Sequence, residues 1–275
     1  KPNILGILDD HSRLCCHGQW YLNETAQNLA HGLGQAFLKR GLPRAILMDN
    51  GSAMIASEIQ QGLARLGIKL EYTLPYSPQQ NGKQEHFWAV LEGRLMALVH
   101  NLQELKLEDL NVFAQAWIER DYHLAQHSEL RATPLERFRS APSVLRPAYI
   151  DLVRDAFLQR VTRNARRSDG TLSLDGVRFE IPNRFRHLRR LELLYAQWDL
   201  SRALLVDERT GAVLTPIYPL DRTANADGRR RSIEPVSTTT KLPSNELPAL
   251  LSKLVAEYSA TGLPPAFLTP EHEKE

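Results

Sequence analysis

Residues 45–52 read AILMDNGS, and the fold turns on how that stretch is taken. Ala45 to Met48 form an apolar run too short for a helix, and the Asn50-Gly51 behind it is a turn signal. The run is expected to be a buried strand that delivers Asp49 to its end. After 35 intervening residues comes Glu85, inside YSPQQNGKQEHFWAVLE, residues 76–92. There a Pro, Ser, Gln and Gly-rich loop, Pro75 to Gly82, gives way to Phe87, Trp88, Leu91, Leu95 and Leu98 at helical spacing, which puts Glu85 in the first turn of a helix. A carboxylate at a strand end and another on a helix suit a hard cation, because Mg²⁺ takes oxygen ligands and keeps several waters.

Outward from these two segments the pattern alternates. Asn3 to Leu8 and Leu14 to Leu22 read as strands. Glu24 to Arg40 reads as an amphipathic helix, with Ala26, Leu29, Leu33, Ala36 and Phe37 on one stripe and Gly41 as its stop. The Asp49 strand is followed by a short helix, Ile55 to Leu66, ended by Gly67, then by a strand from Ile68 to Leu74 and by the Glu85 helix. This order predicts an α/β fold, a mixed sheet with helices on both faces. Leu107 to Ala125 forms a further helix with Leu110, Phe113, Trp117 and Leu124 inward. Thr133 then caps a short helix that has Pro134 at its first position. Residues 1–140 make the first domain.

Residues 141–159 read as a helical connector, broken by Pro142 and Pro147 and ending in a short helix, Ile150 to Leu158. From Arg160 the period changes to two. TLSLDGVRFEIP, LRRLELLYAQ and RALLVDERTGAVLTPIYPL hold short alternating strands separated by Asp-Gly, Asn-Arg and Thr-Gly turns. A small antiparallel β-barrel is expected over residues 160–223. The remainder, 224–275, is a linker and a tail. Ala224 to Lys241 carries Arg229 to Arg231 and a Ser-Thr run and reads as flexible. Leu247 to Tyr258 is an amphipathic helix with Leu250, Leu251, Leu254 and Tyr258 on one face, able to dock on a partner or to pack back on its own core.

The chain has 275 residues, 43% hydrophobic and 24% charged, which is ordinary for a globular protein with room for two domains. No apolar stretch approaches the about 18 to 20 residues that span a bilayer, and no leader pattern opens the sequence, so a cytoplasmic protein without a membrane partner is expected. Adjacent Cys15 and Cys16 point to opposite faces of a strand and form neither a bridge nor a zinc set. Net charge is only +2, yet residues 161–232 carry 14 basic against 9 acidic side chains. Such a segment, with Arg163, Arg166 and Arg167 as candidates, can neutralise phosphates and hold DNA without reading its sequence. A solvated surface is the plainer alternative.

DNGS followed by the Glu of PYSPQQNGKQE resembles the second and third members of the Asp-Asp-Glu triad of the retroviral integrase and DDE transposase superfamily. ILDDHSRL, residues 7–14, resembles the second strand of that catalytic core, where D-x-S-R is typical, and HSELRATPLERF resembles the segment that closes it. The likeness covers most of residues 1 to about 230 and is to bacterial insertion-sequence transposases, with an RNase-H-like integrase core and a Mu-type C-terminal β-barrel. It implies Asp49 and Glu85 as catalytic and metal-binding carboxylates, Mg²⁺ or Mn²⁺ as cofactor, and DNA as substrate, both transposon ends and target. It also implies a homo-oligomer in a synaptic complex, a nucleoid-associated bacterial location, and an ATPase of the transposition machinery as a possible partner for the tail. The implied chemistry is transesterification at DNA phosphodiesters, with three carboxylates holding two ions about 4 Å apart for an in-line displacement.

In that family the first catalytic Asp lies upstream of the D-x-S-R strand, so it is expected upstream of Lys1. Only two strand runs precede the first helix here, where an RNase-H-like core needs three. The rival reading makes Asp9 or Asp10 the first ligand; the reading preferred for this pair is a turn, with Asp10 or Ser12 bonding local amides. Turn formation at Asp49 and charge compensation of a helix N-terminus at Glu85 are the plain alternatives for the other two. Lys83, Gln79, Gln80 and Asn81 are placed to touch phosphates or bases of a DNA end. His86 reads as a surface residue and Trp88 as a core one. Beside a DDE transposase stand two further readings, a DNA-binding or assembly module without catalytic competence and an RNase-H-like nuclease without strand transfer.

Overall fold

The computed structural model describes residues 1–74, 82–102, 105–140, 146–166, 169–197, 199–220 and 247–261. They fall into two compact units, one of Lys1–Ala156 with residues 247–261, the other running from Phe157 to residue 220.

In the first unit β1 (Asn3–Leu8) and β2 (Cys15–Tyr21) form an antiparallel hairpin with Ile4 opposite Trp20 and Gly6 opposite Gly18. Helix α1 (Ala26–Arg40) starts where the Thr25 hydroxyl accepts from the Asn28 amide at 3.2 Å and stops at Gly41, whose φ of 88° suits glycine. Next come β3 (Ala45–Met48), α2 (Ser57–Arg65), β4 (Lys69–Tyr72), α3 (Gly82–Leu91), a π-helical turn Glu92–Met96, α4 (Ala97–Val99) and α5 (Leu107–Arg120). Short helices α6 (Pro134–Ser140) and α7 (Ile150–Ala156) complete the run. Thr133 and Glu136 cap α6 reciprocally, each backbone amide donating to the other's side chain.

Helices cover both faces of the β1–β2 hairpin. A Cβ added to Gly32 of α1 would lie 2.4 Å from the Leu5 side chain, and one added to Gly18 would lie 2.6 Å from Ile118 of α5. Glycine at these two points lets α1 approach one face and α5 the other. Asn111 of α5 pairs with β2 much as a strand would, accepting from Trp20 N at 2.7 Å and donating to Trp20 O at 3.1 Å. The core between α3 and α5 is aromatic, with Phe87, Trp117 and Tyr122 in mutual ring contact.

Helix α8 (Ala249–Ser259) packs into the same core through Leu251, Leu254, Val255 and Tyr258, and Arg120 donates to the Glu257 carbonyl at 3.0 Å. Of the two roles open to the tail, packing back is the one seen, and the face a partner ATPase would need is covered. Leu250, placed on that face from the sequence, is 48% exposed, since the buried stripe follows the 251, 254, 255, 258 spacing.

Several expectations change. The single mixed sheet becomes two sheets of two strands among the described residues, β1 with β2 antiparallel and β3 with β4 parallel. No described strand pairs with both β1 and β3. For the same reason β3 is not a buried strand: only Met48 is buried and Leu47 is half exposed, because it has one neighbour among the described strands. On the Glu85 helix the buried set is Phe87, Leu91, Leu95 and Val99, with Leu98 off the face, because the wider π turn holds the register back by about one residue. Leu124 is exposed: α5 ends at Arg120 and a 3₁₀ turn, Tyr122–Leu124, rotates it outward.

The second unit contains β5 (Gln159–Asn164), β6 (Thr171–Leu174), β7 (Val177–Glu180), β8 (Arg190–Ala196), β9 (Asp199–Val206) and β10 (Val213–Ile217). The antiparallel order is β10-β9-β8-β5, with β6–β7 a separate hairpin. Its Asp175-Gly176 turn has φ of 43° and 81°, as a two-residue hairpin turn demands. Backbone bonds from Arg166 N to Thr171 O and from Glu180 N to Tyr218 O tie the hairpin to the two ends of the sheet. Leu172, Leu174, Phe179, Leu191, Leu193 and Leu205 share one apolar core.

Candidate functional site

Asp49 stands exposed just past Met48, the last residue of β3. One carboxylate oxygen accepts from the Gly51 amide at 2.9 Å, which closes the turn that Asn50-Gly51 foretold. Asn50 donates to the Thr73 carbonyl at 3.2 Å and pins this turn to the end of β4. The second Asp49 oxygen meets no described residue. Glu85 lies exposed in the first turn of α3, and no described residue bonds its carboxylate. Its charge also complements the positive end of the helix dipole.

The same first turn of α3 is anchored on β1 and on the loop behind it. Gln84 donates to the Gly6 carbonyl at 3.2 Å, and a Cβ at Gly6 would lie 2.4 Å from the Trp88 ring. Trp88 is half-buried there rather than fully in the core. Lys83 pairs with Asp10 at 2.6 Å. His86, on the surface as expected, meets the His127 ring edge-on with centroids 5.5 Å apart. Desolvation and the neighbouring His86 lower the His127 pKa.

Asp9 is committed to its own turn. Its Oδ2 accepts from the Ser12 amide at 2.9 Å and the Ser12 hydroxyl at 2.5 Å, and Ser12 Oγ accepts from Leu14 N. The turn reading thus holds, with Asp9 rather than Asp10 as the acceptor, because Asp10 faces Lys83. Arg13 takes a left-handed φ of 61° in the same turn, where its guanidinium donates to the Asp10 carbonyl.

Among the sequence-derived candidates, the structure brings Lys83 to Asp10 and leaves Asp49 and Glu85 on different elements. Gln79, Gln80, Asn81 and Arg167 lie outside the described residues. Arg163 and Arg166 sit at the end of β5 and just beyond it. No group of three His, Cys, Asp or Glu placed to hold a metal occurs among the described residues. Cys15 and Cys16 form no disulfide, and burial drives both thiols up, Cys16 to about 12.

A polar cluster that the sequence reading passed over lies between α1, α5 and β2. Glu119 receives Arg40 at 2.7 and 2.8 Å and His123 at 3.2 Å, while Lys39 donates to Gln115 and Gln115 donates to the Gly18 carbonyl. Burial alone would raise the Glu119 pKa; the His123 hydrogen bond and the Arg40 and Lys39 charges outweigh it and hold it near 2. His123 has Glu119 at one ring nitrogen and the Cys15 carbonyl at the other, which an imidazolium satisfies best, although burial pulls its pKa down. Asn111, Gln115 and Glu119 recur every four residues on α5, and that polar stripe was the available signal.

Residues 1–78 match the family described as integrase core domain. The first 78 residues are thus similar to an integrase core. Asp49 falls inside the matched part of the core, and Glu85 just beyond it. The transposase of transposon Tn552 from Staphylococcus aureus is 24% identical over 159 residues, covering 51% of this chain and 33% of that protein. The chain thus spans about one third of this relative's length. Among solved structures, the simian T-cell lymphotropic virus intasome with PP2A regulatory subunit B56 gamma aligns at 16% identity and a TM-score of 0.45, covering 79% of this chain and 74% of that one. The BIV integrase catalytic core domain aligns at 24% identity and a TM-score of 0.42, covering 50% and 86%.

Integrase cores depend on a divalent metal. The donor type fits: Asp49 and Glu85 are exposed carboxylates, and Mg²⁺ is commonly held by one or two carboxylates together with substrate phosphates and water. No described helix is long and apolar enough to cross a membrane.

Proposed function

We propose that this integrase core works as a metal-dependent polynucleotidyl transferase that cleaves DNA ends and joins them to a target. The supporting observation is the pair Asp49 and Glu85, one at a strand end inside the integrase match and one on the first turn of α3, both exposed and with oxygens that no described residue occupies. The bound ion, Mg²⁺ or Mn²⁺, would supply charge stabilisation and activation of the attacking oxygen. Asp49 is held in place by its turn and Glu85 by the Gln84 and Lys83 contacts that fix the start of α3. Lys83, freed from Asp10, would meet a phosphate, as would Gln80 and Asn81.

A third carboxylate completes the triad on this reading. We place it on a further strand able to pair with β1 and β3, because Asp9 is consumed by its turn and Asp10 by Lys83. The second unit is read as the small β-barrel that accompanies such cores, with Arg163, Arg166 and Arg167 toward DNA, and a homo-oligomer would hold two DNA ends together.

End cleavage and strand transfer on cognate DNA ends with Mg²⁺ or Mn²⁺ test the proposal, comparing this chain with a version extended upstream. In the extended background Asp49→Asn and Glu85→Gln should each abolish both steps. Activity that survives both substitutions overturns the proposal. Cleavage by the present chain that Asp10→Asn stops would instead make Asp10 the first carboxylate.

A further inference from the structure

HSELRATPLERF, residues 127–138, is a sequence signal that the proposed chemistry leaves without a role, and its first half forms a tight turn beside the helix that carries Glu85. The turn closes through His127 N donating to the Ala132 carbonyl at 3.0 Å and Arg131 N donating to the His127 carbonyl at 2.9 Å. Arg131 takes a left-handed φ of 52° there, a strained state for a side chain of its size that persists only where surrounding contacts dictate it. Arg13 supplies such contacts. Glu129 of the turn lies 3.2 Å from the buried Arg13 guanidinium, and the Tyr122 hydroxyl, just upstream, donates to the Arg13 carbonyl at 2.8 Å. So fixed, the turn presents the half-buried His127 ring to His86, edge-on with centroids 5.5 Å apart. His127 Nδ1 is buried and no described residue bonds it, so the ring meets its surroundings at that end by packing.

Helix α3 is gripped on two faces. Gln84 and Trp88, four residues apart, both meet β1 at Gly6. Lys83 and His86, three apart, meet the turn after β1 and the His127 turn. Glu85 and Ala89 share a further face, which is exposed. Consecutive helical residues diverge by about 100°, so the direction of Glu85 follows from the rotation of α3 about its axis, and the gripped faces set that rotation. Of the two contacts on the second face, the Lys83 pair is open to water and the His127 ring is the packed one.

We propose that His127 is a positioning residue for Glu85: through the His86 ring it holds α3 at the rotation that aims the carboxylate at the metal. The proposal rests on the metal-dependent reading given above and adds to it a residue outside the ligand set. A ligating carboxylate works only in the orientation its support gives it, and loss of such support typically costs about 10- to 100-fold in metal affinity.

Two measurements on the whole chain test it, the Mn²⁺ dependence of the melting temperature and hydrogen exchange of the amides of residues 86–91. His127→Ala should raise the half-saturating Mn²⁺ concentration about tenfold and speed exchange at residues 86–91, with exchange elsewhere in the first unit unchanged. His86→Ala removes the same contact from an exposed position that folding does not depend on, and should do likewise. The double variant should be no worse than either single one, since one contact is lost in all three. His127→Phe keeps a ring against His86 and should restore both readings. Wild-type values in the Ala variants, additive effects in the double variant, or failure of Phe to rescue each overturn the proposal. A wild-type chain whose melting does not respond to Mn²⁺ removes the metal reading instead, and exchange at residues 86–91 then decides by itself whether His127 holds α3.

Discussion

Lys83 Nζ lies 2.6 Å from the Asp10 carboxylate, which ties the turn after β1 to the first turn of the helix that carries Glu85. The lysine proposed for a phosphate contact is therefore already occupied, and the aspartate that rivals for a metal role is facing a cation. Both ends are open to water, the Asp10 side chain 83% exposed, so the pair is a latch more than a support.

Asp10→Asn should therefore release Lys83. Stability should change by no more than about 1 kcal/mol, the range for exposed ion pairs. Duplex binding should tighten, with the salt slope growing by up to about 0.9 as one more phosphate contact forms, and adding Lys83→Gln should reverse the gain. Loss of DNA cleavage in a folded Asp10→Asn protein would show a metal ligand instead of a latch.

Asp49→Asn and Glu85→Gln should be nearly silent in stability without metal, within about 0.5 kcal/mol for Asp49 and up to about 1 kcal/mol for Glu85 through the helix dipole. Divalent ions should separate them from the wild type. An ion at ten times its dissociation constant stabilises a folded chain by about 1.4 kcal/mol, and melting curves with Mn²⁺ should lose that increment in either variant. An increment that persists in both places the ion elsewhere.

Acid should expose the Glu119 cluster. Its carboxyl titrates near 2 in the folded chain against an ordinary value of 4.5, so the stabilisation is complete above pH 4.5 and is lost as pH falls toward 2. The shift corresponds to about 3 kcal/mol at most. Glu119→Gln should lower the neutral-pH melting temperature and flatten the stability curve between those two values. A wild-type slope retained in Glu119→Gln would assign the acid sensitivity to another group.

What the chain discloses by itself is unequal. β1, β2, α1 and the Asp175-Gly176 turn follow from apolar period, caps and turn chemistry, which act over a few residues. Leu98 and Leu124 were misplaced because a π turn and an early helix stop shift register by amounts that apolar spacing does not encode. The exposure of β3 depends on what pairs beside it, a matter of tertiary contact. Asp49 and Glu85 were legible as types at a spacing.

The tail helix offers a clear contrast between residues adjacent in sequence. Leu251 is fully buried against the α5 core, while Leu250 is 48% exposed, one helical position and about 100° away. Leu251→Ala should cost about 2 to 5 kcal/mol in denaturant unfolding, the range for a buried leucine that leaves a cavity, and Leu250→Ala should stay within about 0.5 kcal/mol. Were α8 a free segment awaiting a partner, both substitutions would be silent in the isolated chain. Equal and small effects would therefore return the tail to the role of a docking helix, whereas the predicted inequality makes it part of the first unit's core.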